Sequence, residues 1–225
     1  MLPYIKTGSL VFESYTLITN MGTLIGMFAS YQVLEKYCSM EKRYWKVLLL
    51  LLALMASGDI PARFLKGLFH GSGMGTATHF LGRVLFAALL LPILLSLMWK
   101  ECSCMKQAMN ASALYFLIQH FFNRIACWMN GCCNGILIES LHVRFPSQFF
   151  EAGMMLLVLI LLGKNIRKGD SFFGQSMLIY AMVIFVSENF IDQPEVPRVF
   201  MLTSVQTGAL LLSFLAVWYI RKSKY

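Results

Sequence analysis

Charge is what this sequence has least of. Asp, Glu, Lys and Arg make up 13% of the 225 residues, against roughly 25% in a soluble domain, while hydrophobic residues reach 58%. That shortage excludes an ordinary cytosolic protein, and disordered, collagenous and disulfide-scaffold classes fall with it. A mean hydropathy of +0.65, with apolar runs longer than the roughly 20 residues needed to cross hydrocarbon, leaves the polytopic α-helical membrane class. A Gly/Ser linker, a low-complexity tract and a repeat of roughly 20 to 50 residues are also missing, so residues 1–225 read as a single polytopic membrane domain. The start carries Lys6 but no small-residue cleavage site, which argues against a cleaved signal peptide. The net charge of +8 comes without a basic surface interleaved with aromatics, so it points to cytoplasmic loops and anionic lipid, and not to nucleic acid.

Apolar runs bounded by charges or turn residues predict an all-α integral membrane protein with seven transmembrane helices. The spans fall near 9–34, 45–69, 79–99, 109–130, 148–164, 172–190 and 203–220. Lys36, Lys42 and Arg43 follow the first span, Lys100 and Lys106 the third, and Lys164, Arg167 and Lys168 the fifth, and the tail carries Arg221, Lys222 and Lys224. The alternate connections are poor in Lys and Arg. The positive-inside rule then puts the N-terminus outside and the C-terminus in the cytoplasm. The external connections 70–78 and 131–147, rich in Gly and polar residues, are candidate site loops.

Charged groups within spans are costly, so each is a functional candidate. Glu13, Tyr15, Asp59, Arg63, Arg83, Arg124, Glu151 and Glu188 all fall in the outer half of the predicted bundle. In the fourth span Gln119 or His120, Asn123 or Arg124, Cys127, and Asn130 or Gly131 recur at helical spacing, which makes one face polar. Three arginines at one depth suit a lipid phosphate, because the guanidinium fork stays charged and binds phosphate oxygens in pairs. Glu151 and Glu188 would hold those arginines; the plainer alternative is that such pairs only cross-link helices.

The run Asn123-Arg124-Ile125-Ala126-Cys127-Trp128-Met129-Asn130-Gly131-Cys132-Cys133-Asn134-Gly135, followed by Phe145-Pro146-Ser147-Gln148-Phe149-Phe150-Glu151-Ala152, resembles the signature of the prolipoprotein diacylglyceryl transferase family. That signature reads roughly G-R-I-G-N-F-x-N-G-E-x-x-G, then H-P-(ST)-Q-L-Y-E-A. Ser14-Tyr15 with Gly22, Ala62-Arg63, Gly174 with Tyr180 and Glu188, and Ser204-Val205-Gln206 follow in the family's order, so the resemblance covers nearly the whole chain. It implies seven spans with the N-terminus outside, and transfer of diacylglycerol from phosphatidylglycerol to the thiol of a lipobox cysteine in an exported preprotein, at the outer face of a bacterial cytoplasmic membrane. No cofactor is implied. By the same resemblance Arg124, with Arg63 and Arg83, would bind phosphate. Tyr15, Asn130, Gly131, Gly135, Gln148 and Glu151 match motif positions, with Gln148 and Glu151 orienting the arginines or the glycerol hydroxyls. His79 is the candidate base and His70 the reserve.

The sequence departs from the pattern at several places. Cys127 replaces the motif asparagine, Cys132 its glutamate, and Ile136 a common arginine. In the sixth span the pattern R-F-x-x-E-F-x-R aligns with Ile184 to Ile191 around Glu188, and both arginines are absent; Arg198 is the nearest substitute. Cys127, Cys132 and Cys133 admit three readings: small residues or a local disulfide, a nucleophilic thiol beside Arg124, or soft-metal ligands with His142 or His120. No metal site is assigned from them. Cys38, Cys102 and Cys104 fall on the cytoplasmic side and should stay reduced. His120 reads as a satisfied interior histidine and His142 as solvated. Two rival functions remain, an acyl- or glyceryl-transferase that uses a motif cysteine on another acceptor, and a lipid-binding protein or transporter without catalysis. Few polar residues beyond Asn20 and Asn110 continue into the inner half, which counts against transport.

Overall fold

The structure is a computed structural model that describes residues 3–7, 10–38, 76–98, 102–168, 170–192, 198–199 and 202–222. The predicted second span, with Asp59, Arg63 and the reserve base His70, lies outside the described residues. Six α-helices are described: α1 (Ser14–Cys38), α2 (Thr76–Met98), α3 (Cys102–Asn130), α4 (Ser147–Lys168), α5 (Phe173–Ser187) and α6 (Ser204–Lys222). Three two-stranded antiparallel hairpins join or precede them: β1 (Tyr4–Thr7) with β2 (Leu10–Glu13), β3 (Leu137–Ile138) with β4 (Val143–Arg144), and β5 (Arg198–Val199) with β6 (Leu202–Thr203). Residues 14–37 and 204–222 are each long and apolar enough to cross a membrane, and Leu81–Leu97 and Ser147–Gly163 are shorter apolar stretches. Leu24, Phe28, Leu97, Ile160, Leu161, Phe214 and Trp218 stand exposed on the outside of the bundle.

The element boundaries shift from those expected. The first helix starts at Ser14, because residues 10–13 pair with residues 4–7 in the register Thr7 to Leu10 and Tyr4 to Glu13. The third described helix starts at Cys102, so Cys102, Cys104 and Lys106 stand on a helical turn and not in a loop, and Cys104 is buried. At the other end of the bundle α5 stops at Ser187, and Glu188–Phe190 form a single 3-10 turn.

Helix α3 is the hub, packing on α1, α2, α4 and α5, while α5 and α2 also pack on α6. Its neighbour α1 comes close because Gly22 and Gly26, four residues apart, leave room; a Cβ at Gly22 would lie 2.5 Å from Phe122 Cβ, and one at Gly26 3.0 Å from Tyr115. The core between helices is Leu34, Leu91, Leu95, Leu117, Met155, Met177 and Leu212.

A bundle in hydrocarbon must satisfy its own backbone groups, and two side chains do so across helices. Pro92 inside α2 has no N–H for the carbonyl four residues earlier. Tyr219 of α6 donates its hydroxyl to that carbonyl, Ala88 O, at 2.7 Å. Buried Asn110 of α3 accepts the amides of Phe172 and Phe173 on Oδ1, at 3.0 and 3.2 Å, and so satisfies the start of α5. Its Nδ2 donates to Asp170 O at 2.9 Å.

Candidate active site

Along α3, positions 120, 123, 124 and 127 share one face, since they lie three, four and seven residues apart. All four are buried, and α4 brings Glu151 against them. Arg124 Nε lies 2.6 Å from Glu151 Oε2, which also sits 3.0 Å from His120 Nε2. His120 Nε2 is 3.3 Å from Arg124 Nε, and Tyr180 of α5 places its hydroxyl 3.4 Å from His120 Nδ1. A buried charge is tolerated when it is paired and hydrogen-bonded, and this cluster meets that demand on one edge only. Among the described residues the other carboxylate oxygen, Glu151 Oε1, has no hydrogen-bond partner, and the two terminal nitrogens of Arg124 make no hydrogen bond. The guanidinium is therefore held by its Nε edge, and no described residue bonds its fork, the part that binds anions in pairs.

The end of α3 is fixed by backbone geometry. Gly131 has φ 77°, its amide bonds Trp128 O at 3.2 Å, and the Cys132 amide bonds Cys127 O at 3.1 Å. These paired reverse bonds around a left-handed residue are a Schellman cap, for which glycine is preferred. Cys133 is also left-handed, with φ 57°, and the chain turns back over the helix end. The start of α4 holds this turn: Gln148 Nε2 donates to Cys132 O at 2.8 Å and Ser147 Oγ to Cys133 O at 2.9 Å. Further along, Gly135 bridges Ile191, and a Cβ at Gly135 would overlap the Phe145 carbonyl. Arg144 ties the loop to the end of α5 through Gly135 O at 3.1 Å and Asp192 Oδ2 at 2.9 Å, and Phe145, Phe150 and Phe190 stack beneath it.

The structure thus brings Arg124, Glu151, Gln148, Gly131, Gly135 and Cys132 into one region. Tyr15 joins it from α1 by donating to Asn123 Oδ1 at 2.7 Å, and half-buried Arg83 of α2 lies within electrostatic reach of Tyr15. Asn130 is exposed at the helix end. Glu188, buried in the 3-10 turn, contacts the Thr203 side chain and lies within electrostatic reach of Arg124 and Glu151. His79 stands in the first turn of α2, where the backbone alone is described. The positions of the two absent arginines are apolar packing sites, Ile184 and Ile191 both being buried. The Cys132 thiol sits above its ordinary value: contact with Cys127 pulls it down, and contact with Cys133 together with burial pushes it up further. His120 is, as its sequence position suggested, a buried and hydrogen-bonded interior histidine, and it packs on the Arg124 and Glu151 pair from four residues before Arg124.

A model of the prolipoprotein diacylglyceryl transferase family matches residues 3–221. The chain belongs to that family. A prolipoprotein diacylglyceryl transferase is an integral membrane transferase of lipoprotein biosynthesis, and the family implies a phospholipid donor and a prolipoprotein acceptor. No curated protein matched the chain. Seen as a transferase of this family, the chain keeps the Arg124 and Glu151 pair of the signature at its centre, and carries Cys127 and Cys132 in place of two signature residues, with Cys133 beside them.

Proposed function

We propose that the protein transfers diacylglycerol from phosphatidylglycerol to the thiol of a lipobox cysteine, at the outer face of a bacterial cytoplasmic membrane. Seven spans with the N-terminus outside complete the proposed architecture. The observation that carries the reading is the orientation of Arg124, whose Nε is held 2.6 Å from buried Glu151 while no described residue bonds its fork.

The reaction breaks a bond between a glyceryl carbon and a phosphate oxygen. The thiol sulfur forms the new bond to that carbon, the electron pair of the broken bond stays on the phosphate, and glycerol phosphate leaves. Charge grows on the departing phosphate, and that is what the Arg124 fork would stabilise, with Arg83 and Arg63 contributing. Glu151 would hold Arg124 and, through Oε1, accept a hydrogen bond from a glycerol hydroxyl. Gln148, Gly131, Gly135 and Asn130 would shape the pocket beside the headgroup, with Tyr15 and Glu188 at its edges. The thiol proton would pass to His79 as base. Cys132 is the proposed nucleophile of the alternative in which the protein itself carries the lipid group.

Purified protein, labelled phosphatidylglycerol and a lipobox peptide separate these readings. Labelled thioether peptide, lost with Arg124→Ala and kept with Cys132→Ala, supports the transferase. Label retained on the protein and abolished by Cys132→Ala would replace it with the thiol enzyme, and no turnover would leave a lipid-binding protein.

A further inference from the structure

Cys127, Cys132 and Cys133 have no part in the proposed transfer, yet they are built into the site more firmly than loop cysteines need be. Their three sulfurs all lie within 4.8 Å of one another, and each thiol is in contact with both of the others, so they form a closed triangle. None is in a disulfide. Two left-handed residues, Gly131 and Cys133, fold the turn back so that its sulfurs meet that of Cys127 on the helix. Two side chains from the start of α4 hold the carbonyls of Cys132 and Cys133 in place. Cys127 is fully buried, while Cys132 and Cys133 are half-exposed, so the triangle has a floor and an open side.

We propose that this triangle is a binding site for a soft monovalent cation, Cu(I), held by three thiolates in trigonal coordination. A metal–sulfur bond of about 2.3 Å sets the sulfurs of a trigonal site about 4 Å apart, within the observed spacing. A disulfide would join two of the sulfurs and leave the third unused. Among the described residues no oxygen or imidazole belongs to the triangle; a thiolate-only donor set suits soft ions, and three ligands suit Cu(I) where structural zinc takes four. Binding releases three protons and leaves a net charge of −2 on the ion and its ligands. Arg124, paired with Glu151, also acts electrostatically on Cys127 and so lessens the cost of that charge. The site needs no oxidant, and its thiols are not required by the proposed transfer.

The test is anaerobic titration of the reduced, detergent-solubilised full chain with Cu(I), in competition with a chromogenic Cu(I) chelator, followed by thiolate charge-transfer absorption. The expected result is one ion per chain, with affinity falling at least 100-fold in each of Cys127→Ser, Cys132→Ser and Cys133→Ser, and unchanged in Cys104→Ser. Circular dichroism checks that the variants fold. Where one does not, maleimide labelling of the wild type with mass spectrometry decides: Cu(I) should protect Cys132 and Cys133 together. Absence of binding, binding unaffected by the three serine variants, or labelling unchanged by Cu(I) overturns the proposal. So does a Cys127–Cys132 or Cys132–Cys133 disulfide in the isolated protein whose reduction gives no uptake of Cu(I).

Discussion

At the scale of single residues, the site rests on an asymmetric use of hydrogen-bonding capacity. Glu151 uses one oxygen for both Arg124 and His120, and among the described residues the other has no partner. Removing one member of a buried pair strands the other, at about 3–5 kcal/mol. Glu151→Ala should therefore lower the thermal midpoint of the solubilised protein more than Arg124→Ala combined with Glu151→Ala, in a double-mutant cycle read by differential scanning fluorimetry. Arg124→Lys keeps the charge but loses the fork. It is expected to reduce thioether formation about 10²–10³-fold, the usual cost of a lost transition-state donor, in the peptide assay.

At the scale of elements, irregular backbone is answered by a side chain from another helix. Pro92 and Tyr219 are one such couple. Tyr219→Phe should cost about 1–3 kcal/mol, the penalty of leaving a buried carbonyl unpaired, and that cost should shrink when Pro92→Ala restores the helical donor. Unfolding of the four variants in denaturant measures the coupling. The start of α6 follows the same logic on a smaller scale. Thr203 Oγ1 accepts from the Gln206 amide and Gln206 Oε1 from the Thr203 amide, both at 3.1 Å, a reciprocal capping box. Gln206→Ala is expected to lose about 0.5–2 kcal/mol, because its Nε2 also bonds Asn189 Oδ1 at 3.1 Å and ties α6 to the turn that carries Glu188. The same denaturant measurement applies.

At the scale of the whole molecule, helix number and direction decide which side of the membrane the site faces. On the proposed orientation, with the N-terminus outside and the C-terminus in the cytoplasm, a fluorescent protein fused after residue 225 should fluoresce and alkaline phosphatase fused there should be inactive. The reverse pattern would invert the proposed architecture. Much of the helical plan was legible because apolar run length is a one-dimensional property. Arg124 and Glu151 were legible because charge within such runs is rare. The hairpin of residues 4–13 was not, since Leu10, Val11 and Phe12 suit a helix entry as well as a strand; Gly8-Ser9 was the overlooked turn signal. Nor was the thiol triangle, whose members lie five and six residues apart on a helix end and a turn. It exists through the backbone angles of Gly131 and Cys133. The reason for Gly135, the nearness of the Phe145 carbonyl, is likewise a tertiary fact.

The pairing of α1 with α3 has a consequence for how the chain is made. The Gly22 and Gly26 face of α1 fits against Phe122 and Tyr115 of α3, and residues 39–101 separate the two helices in sequence. A ribosome must deliver all of that intervening chain before α1 can dock. Until then the small-residue groove of α1 lacks its α3 partner, while Thr19 and Thr23 already bond carbonyls of their own helix. Thr23 finds Gln119 at 3.1 Å once α3 has arrived. Nascent chains arrested before Cys102 should accordingly crosslink from Gly22 to lipid or to the insertion machinery, and those arrested beyond Asn130 to α3.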